Sequence, residues 1–337
     1  MTRFIAKRIL TSGAVMLTIT IVTFVLARVV PSNPAVVFAG PKATQETLDR
    51  IQQDLGLDRP ILLQLLSYVG NVVRGDFGDS LASKQPVLPD VIGRLPATLE
   101  LIAVAMVLAT VLGVALGVLA SRRSGGLLDG AIRFLSIGGI SMPAFWLGLL
   151  LQVIFVGQLG VLPATGQFST ELTYSDPVQT ITHFAMVDSL LTGNWVALRD
   201  GAAHLVLPAV TLAAYPLGLI ARMTRASMLE ALEQDFTLTA RAYGLSRANI
   251  LWRLTLKNAL SAPLTVIGLS IAYMLTGTFF VEVVFNWPGI GQYATQAMLA
   301  VDYPVIMAIT LLGAAGYLIT NLVVDILQAR IDPRTRS

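Results

Sequence analysis

Six stretches of this chain are apolar over the length a helix needs to cross a hydrocarbon layer of roughly 30 Å, and no other feature limits the fold as strongly. They run about Ile9–Val30, Thr98–Ala120, Ile132–Gly157, Leu205–Ile220, Ala262–Val281 and Val305–Leu327. Lipid offers no hydrogen-bond partner to a backbone N–H or C=O, so a spanning segment is either a helix or one strand of a closed barrel. The period-2 alternation of a barrel is missing from all six. The expected fold class is therefore all-α, a polytopic membrane protein with six transmembrane helices. The fourth stretch is the shortest and holds Pro208 and Pro216, which makes it the weakest of the six. Of 337 residues 55% are hydrophobic and only 13% charged, against roughly 25% charged in soluble domains.

Lysine and arginine set the orientation. With a cytoplasmic N-terminus, the inside segments hold Arg3, Lys7, Arg8, Arg122, Arg123, Arg133, Arg222, Arg225, Arg241, Arg247, Arg253, Lys257, Arg330, Arg334 and Arg336. These are fifteen of the 23 basic residues, and the other eight are spread over longer outer loops. The positive-inside rule then places both termini in the cytoplasm. The first span has a longer apolar run than a cleaved signal peptide and reads as an uncleaved anchor. Arg28 near its outer end is tolerable there because its side chain can snorkel to the interface.

The organisation that follows has residues 1–30 as the N-terminus and first span, and 31–97 as an extracytoplasmic loop. A membrane-spanning core occupies 98–327, with spans at about 98–120, 132–157, 205–220, 262–281 and 305–327, and 328–337 form a cytoplasmic tail. Within the first loop, Thr44–Leu55 and Ile61–Val73 have helical patterns, and Gly75–Gly78 and Lys84–Pro89 read as turns. A second outer loop covers Gly160–His204, broken by Pro163, Gly166, Pro177 and Gly193.

The cytoplasmic segment 222–260 is too long for a simple turn. Leu229, Leu232, Phe236, Ala240 and Tyr243 recur at spacings of 3, 4, 4 and 3, one apolar stripe on a helix. Glu230, Glu233, Thr237 and Arg241 fall largely on the other face. Gly244 ends the pattern as a helix C-terminus does, and Ser246 is placed to cap a second helix through Ile250, Leu251 and Leu254. A helix–Gly–helix elbow outside the bilayer reads as a docking surface, and a helix lying flat on the inner leaflet is the plainer alternative.

Several function classes are excluded or disfavoured. Without cysteine there is no disulfide, no thiol catalysis and no thiolate metal site. His183 and His204 lie 21 residues apart without further ligand spacing, so no metal site is expected. No G-x-x-x-x-G-K-[ST] run exists, so this chain has no P-loop for ATP. No basic–aromatic patch suggests nucleic acid. An ion-coupled secondary transporter would need buried charge or broken-helix repeats, and a membrane enzyme would need converging His, Asp, Glu or Ser groups; the spans offer little of either. Glu100 and Glu282 near the outer ends of spans read as solvated or structural.

Ten motifs in order resemble the permease subunits of dipeptide/oligopeptide ABC importers. They are LGLDRP at Leu55–Pro60, RGDFGDS at Arg74–Ser80, RLPATLEL at Arg94–Leu101, SMPAFWLG at Ser141–Gly148, LPATG at Leu162–Gly166, HLVLPA at His204–Ala209, RASMLEALEQDFTLTARAYGLS at Arg225–Ser246, VEVVFNWPGIG at Val281–Gly291, and DYP at Asp302–Pro304 with IDPR at Ile331–Arg334. The resemblance implies a type I ABC importer permease in a bacterial inner membrane. It implies four further partners beside the lipid bilayer: a second homologous permease, two cytoplasmic ATPase subunits and an extracytoplasmic solute-binding protein. This chain would bind no cofactor, and ATP and Mg would be used by the ATPase subunits. Peptides are the implied cargo, with nickel chelates, glutathione, opines or oligosaccharides carried by similar permeases.

The resemblance also assigns site residues. Asp235, Phe236, Thr239, Ala240, Arg241, Ala242, Tyr243 and Gly244 would couple to the ATPases, and no residue would be catalytic. Ser136, Ser141, Met142 and Pro143, at a kink in the third span, are candidates to line the translocation pathway; close helix packing accounts for them equally well. Three departures bear on substrate identity more than on fold. Leu238-Thr239-Ala240 stands where many importers have Glu-Ala-Ala, Arg28-Val29-Val30-Pro31-Ser32-Asn33-Pro34 lacks the usual Pro-Gly-Asp-Pro, and the second outer loop is long.

The orientation is directly testable because the chain lacks cysteine. An impermeant maleimide should label Lys84→Cys and Thr170→Cys in sealed right-side-out vesicles and leave Arg241→Cys unlabelled. Labelling at 241, or protection at 84 or 170, would reverse it.

Overall fold

In a computed structural model of the chain, the described residues are 2–29, 36, 44–54 and 58–331. Part of the first outer loop from residue 30, the Leu55–Leu57 half of LGLDRP, and the tail beyond Ile331 lie outside them. The described residues form helices and turns, with an isolated two-residue bridge between Asp79 and Pro86. In order these are α1 (Thr2–Val29), α2 (Gln45–Asp54), α3 (Ile61–Val73), α4 (Val87–Ser121), α5 (Leu127–Ser141), α6 (Ala144–Gln158), α7 (Thr170–Ser175), α8 (Ala185–Leu191), α9 (Trp195–Leu232), α10 (Asp235–Ala242), α11 (Arg247–Ala259), α12 (Ser261–Val284), α13 (Ile290–Leu299) and α14 (Tyr303–Ile331). Four of them (α1, α4, α9 and α14) are long and apolar enough to cross a membrane, or up to six spans if each of two bent pairs counts as one. The bent pairs are α5 with α6, at 112°, and α11 with the first part of α12, at 63°.

The described residues divide into two compact units, those within 2–95 with 290–319 and those within 96–289 with 320–331. In the first unit Val87, Val91, Tyr293, Ala297, Val305 and Ala308 form one buried cluster, and Phe24 with Met307 centres another. Asp302 holds the turn that precedes α4: Ser80 Oγ donates to its carboxylate at 2.6 Å and Ala82 N at 3.1 Å. The Tyr293 hydroxyl donates to Asp90 at 3.2 Å while the Arg94 guanidinium lies 4.4 Å over its ring. Burial and the Asp90 carboxylate push that hydroxyl up to about 12. The turns read at Gly75–Gly78 and around Lys84 are present, but the second ends at Pro86, because α4 already begins at Val87.

The second unit is built around α9. Its 38 residues exceed by far the stretch Leu205–Ile220; at 1.5 Å per residue they extend about 57 Å. Of its most apolar window 61% is buried, against 11% for α1, so the segment that looked weakest in the sequence is the core helix. Small residues make this possible. A Cβ on Gly218 would stand 2.5 Å from the Ser136 carbonyl oxygen, so α9 and α5 meet backbone to backbone. Such close approach is how helices associate where lipid tails compete with any apolar side chain. Pro208 and Pro216 are both buried within α9; prolines are tolerated in such helices where neighbouring helices surround the backbone groups they free.

α9 begins at Trp195, inside the segment read as an outer loop, where Asn194 caps it by accepting from Ala197 N at 2.9 Å. Two polar side chains of its first turns find partners. Asp200 accepts from Ser169 N at 2.7 Å, and His204 Nδ1 lies 2.9 Å from the Asp200 carbonyl. The remaining loop is tied down. Glu100 of α4 accepts from Met186 N at 2.7 Å and from Gln167 Nε2 at 3.0 Å. Glu282 is fully buried, receives the Thr98 hydroxyl at 2.7 Å, and stands against Gly289, where no Cβ would fit. Trp287, also fully buried, donates from Nε1 to the Ala97 carbonyl at 2.9 Å. Both glutamates are structural, and neither is solvated.

Asp188 organises the loop's tip. It is 2% exposed and accepts from Ile181 N, Thr182 N, Thr182 Oγ1 and His183 N at 3.1, 2.8, 2.6 and 3.0 Å. Burial raises its pKa, but these donors outweigh burial and hold it below the ordinary carboxylate value. A carboxylate whose pKa is lower folded than unfolded stabilises the fold above its unfolded pKa, and that stability is lost as pH falls through the folded value. Amide exchange at 181–183 should therefore be slow at neutral pH, and its protection relative to the intrinsic exchange rate should be lost in acid. Asp188→Asn should accelerate it at neutral pH by at least about tenfold, since hydrogen bonds to a charged group contribute about 1.5–3 kcal/mol each. Unchanged exchange by mass spectrometry would show that the carboxylate does not order the loop.

Candidate functional site

The elbow is two helices where the periodicity suggests one. α9 stops at Leu232 and α10 starts at Asp235, with Gln234 extended between them. The break rotates the faces. Thr237, placed on the polar side by periodicity, is fully buried and donates its hydroxyl to the Ala231 carbonyl at 3.1 Å. Ala240 is buried, and Phe236 packs against a cluster of Val118, Met228, Ala231 and Ala259. These residues attach α10 to its own chain. Asp235, Thr239, Arg241, Ala242, Tyr243 and Gly244 are exposed, and so is Leu238, which the sequence reading left out of the coupling set. Tyr243 is 82% exposed and Leu238 57%, a pair of large apolar side chains held in the open. An acidic residue in the first turn favours a helix start; Gln234-Asp235 was the signal available for the break.

The turn after α10 is closed by its backbone. Leu245 N donates to the Ala240 carbonyl at 3.1 Å and Gly244 N to the Arg241 carbonyl at 3.0 Å, the paired bonds of a Schellman motif. Gly244 has φ +75°, a left-handed conformation that only glycine adopts at no cost. An added Cβ there would meet nothing within 4 Å, so the requirement is conformational rather than steric. Ser246 then accepts from Asn249 N at 3.3 Å, starting α11, whose middle widens into a π-helical stretch over Ile250–Thr255.

The residues singled out in the third apolar stretch divide between two roles. Ser136 is buried where α5 crosses α9. Ser141, Met142 and Pro143 form the sharp break between α5 and α6. Met142 is extended at φ −82° and ψ 130°, as a residue before proline prefers. They line a groove of about 250 Å³ together with Thr211 and Tyr215 of α9 and Tyr273 and Gly277 of α12. The Tyr215 and Tyr273 rings stack across it, with centroids 4.4 Å apart. The lining carries hydroxyls and apolar groups but no charged side chain. Such a surface allows a polar solute to slide without holding it by an ion pair. Sequence reasoning missed the two tyrosines because they sit 58 residues apart on different helices. Among the described residues no group of three or more His, Cys, Asp or Glu side chains converges in the manner of a metal site.

Comparison with known proteins agrees with this architecture. Residues 113–337 match the family described as binding-protein-dependent transport system inner membrane component, and residues 1–102 match the N-terminal family of the same transport systems. A probable D,D-dipeptide transport system permease of Escherichia coli K12 is 40% identical over 93% of this chain and 92% of its own length. A di/tripeptide transport system permease of Pseudomonas aeruginosa is 40% identical over 100% of this chain and 99% of its own. A dipeptide transport system permease of Escherichia coli K12 is 36% identical over the same shares. By matches that span nearly its whole length, this chain belongs to the family of inner-membrane components of binding-protein-dependent transport systems.

Proposed function

We propose that this chain is a membrane-spanning subunit of an ATP-driven importer for di- or oligopeptides. It works with a second homologous permease, two cytoplasmic ATPase subunits that use ATP and Mg, and a solute-binding protein that delivers the cargo. It crosses a bacterial inner membrane six times, each bent helix pair counting as one crossing, and has both termini in the cytoplasm. The peptide assignment rests on the names of the full-length relatives. The chain itself carries out no chemistry.

The observation that carries this reading is the elbow. Its inner face (Phe236, Thr237, Ala240) is consumed by contacts within the chain, which leaves Leu238, Thr239, Arg241, Ala242 and Tyr243 outward on a short helix closed by Gly244. A rigid, self-anchored helix that exposes apolar side chains to water is suited to a groove in a soluble partner. Transport then proceeds by alternating access. Closure of the ATPases moves the elbows, the spans rearrange around the uncharged groove, and hydrolysis resets them.

Burying a large apolar side chain in the partner contributes about 1.5–3 kcal/mol. Tyr243→Asp and Leu238→Asp should thus each weaken ATPase association by about tenfold or more, with the two permeases still associated and expressed normally. ATP-dependent dipeptide uptake into vesicles supplied with the binding protein should fall in parallel. Phe236→Asp should act differently, lowering the thermal stability of the permease itself. ATPase co-purification at the wild-type level with both outward variants would refute the docking surface, and uptake without the ATPase subunits would refute the importer reading.

A further inference from the structure

Between the elbow and the groove lies an ion pair that the proposed cycle leaves unexplained. Asp129, in the first turn of α5, is 1% exposed, and Arg225, two helical turns before the end of α9, grips it with both branches of its guanidinium. Nε donates to Oδ1 at 2.6 Å and Nη2 to Oδ2 at 2.8 Å. Gly125 N adds a donor to Oδ2 at 2.9 Å, and Arg225 reaches Ser124 Oγ at 3.4 Å. The α4–α5 turn, the start of α5 and the elbow-bearing end of α9 are thereby fastened at one point.

We propose that the Asp129–Arg225 pair is the transmission latch of the permease, which makes α5 follow α9 when the elbow moves. This rests on the importer reading above. Three observations support it. First, α5 and α9 are in backbone contact farther along, where Gly218 meets the Ser136 carbonyl, so two separated fastenings make the two helices one lever. Second, the far end of that lever is not continuous. α5 stops at Ser141, and Met142–Pro143 introduce the 112° bend into α6. A lever that is stiff between its fastenings and broken at its end concentrates displacement at the break, and the break lines the groove. Third, a bidentate pair has directional stiffness that packing alone lacks, because a planar fork matches a carboxylate in a single plane. Buried pairs contribute little net stability, and their specificity for one arrangement is the better-attested role. Arg225 and Asp129 are positioning residues; neither lines the groove.

The test uses the whole importer, both permeases with ATPases and binding protein, in proteoliposomes, and reads peptides imported per ATP hydrolysed. Asp129→Asn keeps the side-chain shape and Arg225→Lys keeps the charge without the fork. In each, ATPase activity should persist while uptake per ATP falls by about tenfold or more, the scale expected when one partner of a buried pair is altered. As the chain has no cysteine, Asp129→Cys with Arg225→Cys can be bridged by a reducible bifunctional thiol cross-linker. Bridging should restore uptake per ATP, and reduction should abolish it again. A purely structural pair would not give that reversible return. Wild-type uptake per ATP in both single variants overturns the latch, as does a bridged double variant that stays uncoupled. If all variants lose ATPase association and uptake together, the pair serves assembly and the latch is likewise overturned. Failure of the wild-type complex to couple uptake to ATP would refute the importer reading instead.

Discussion

The structure depends on the close approach of helices at small residues along α9. In lipid the apolar side chains of a helix gain nothing by leaving one hydrocarbon environment for another, so association relies on contact, fit and internal hydrogen bonds. Gly218 against Ser136 and the buried Pro216 are the expression of that constraint, and they make α9 the element on which the second unit is assembled. Because the helix continues past its apolar part to Leu232, the same rod that packs the core also carries the elbow. The largest polar side chains deep in this unit obey the companion rule that buried groups find partners, although the buried Thr224 and Thr255 hydroxyls have none among the described residues. Glu282 takes the Thr98 hydroxyl, Glu100 takes a backbone N–H and an amide, and Trp287 reaches a carbonyl.

From that frame the division of labour follows. The groove at the α5–α6 break is uncharged and lined by hydroxyls and two stacked tyrosines. In the proposed importer such a groove would discriminate weakly, which suits a system whose cargo is selected by a separate binding protein. The elbow, by contrast, is specific in shape, with its glycine turn closed by two backbone bonds and its inner face fixed to the chain.

Some of this was legible in the sequence, and the residues show why. Gly244 and Ser246 announced the elbow because each states a local backbone requirement that needs no tertiary context. Pro143 announced a break for the same reason. The helical patterns at Thr44–Leu55 and Ile61–Val73 correspond to α2 and α3. Other features depend on partners distant in sequence. The start of α9 was hidden by Arg199, Asp200 and His204, which look like loop residues until Ser169 and their own helix turn satisfy Asp200 and His204. Periodicity placed Thr237 with the polar face and Tyr243 with the buried stripe, and the break at Gln234 reversed both. Periodicity assumes an unbroken helix, and one extended residue, Gln234, is enough to turn the downstream face away.

In the proposed importer the outward face of α10, and not the stripe that periodicity marks, meets the ATPase. Single cysteines at 237, 238, 239, 240, 242 and 243, introduced into the assembled importer and exposed to a short photoactivatable maleimide, test it in one experiment. Cross-links to the ATPase subunits are expected at 238, 239, 242 and 243, with 237 and 240 silent. Cross-links confined to 237 and 240, or to lipid at all six positions, would contradict it.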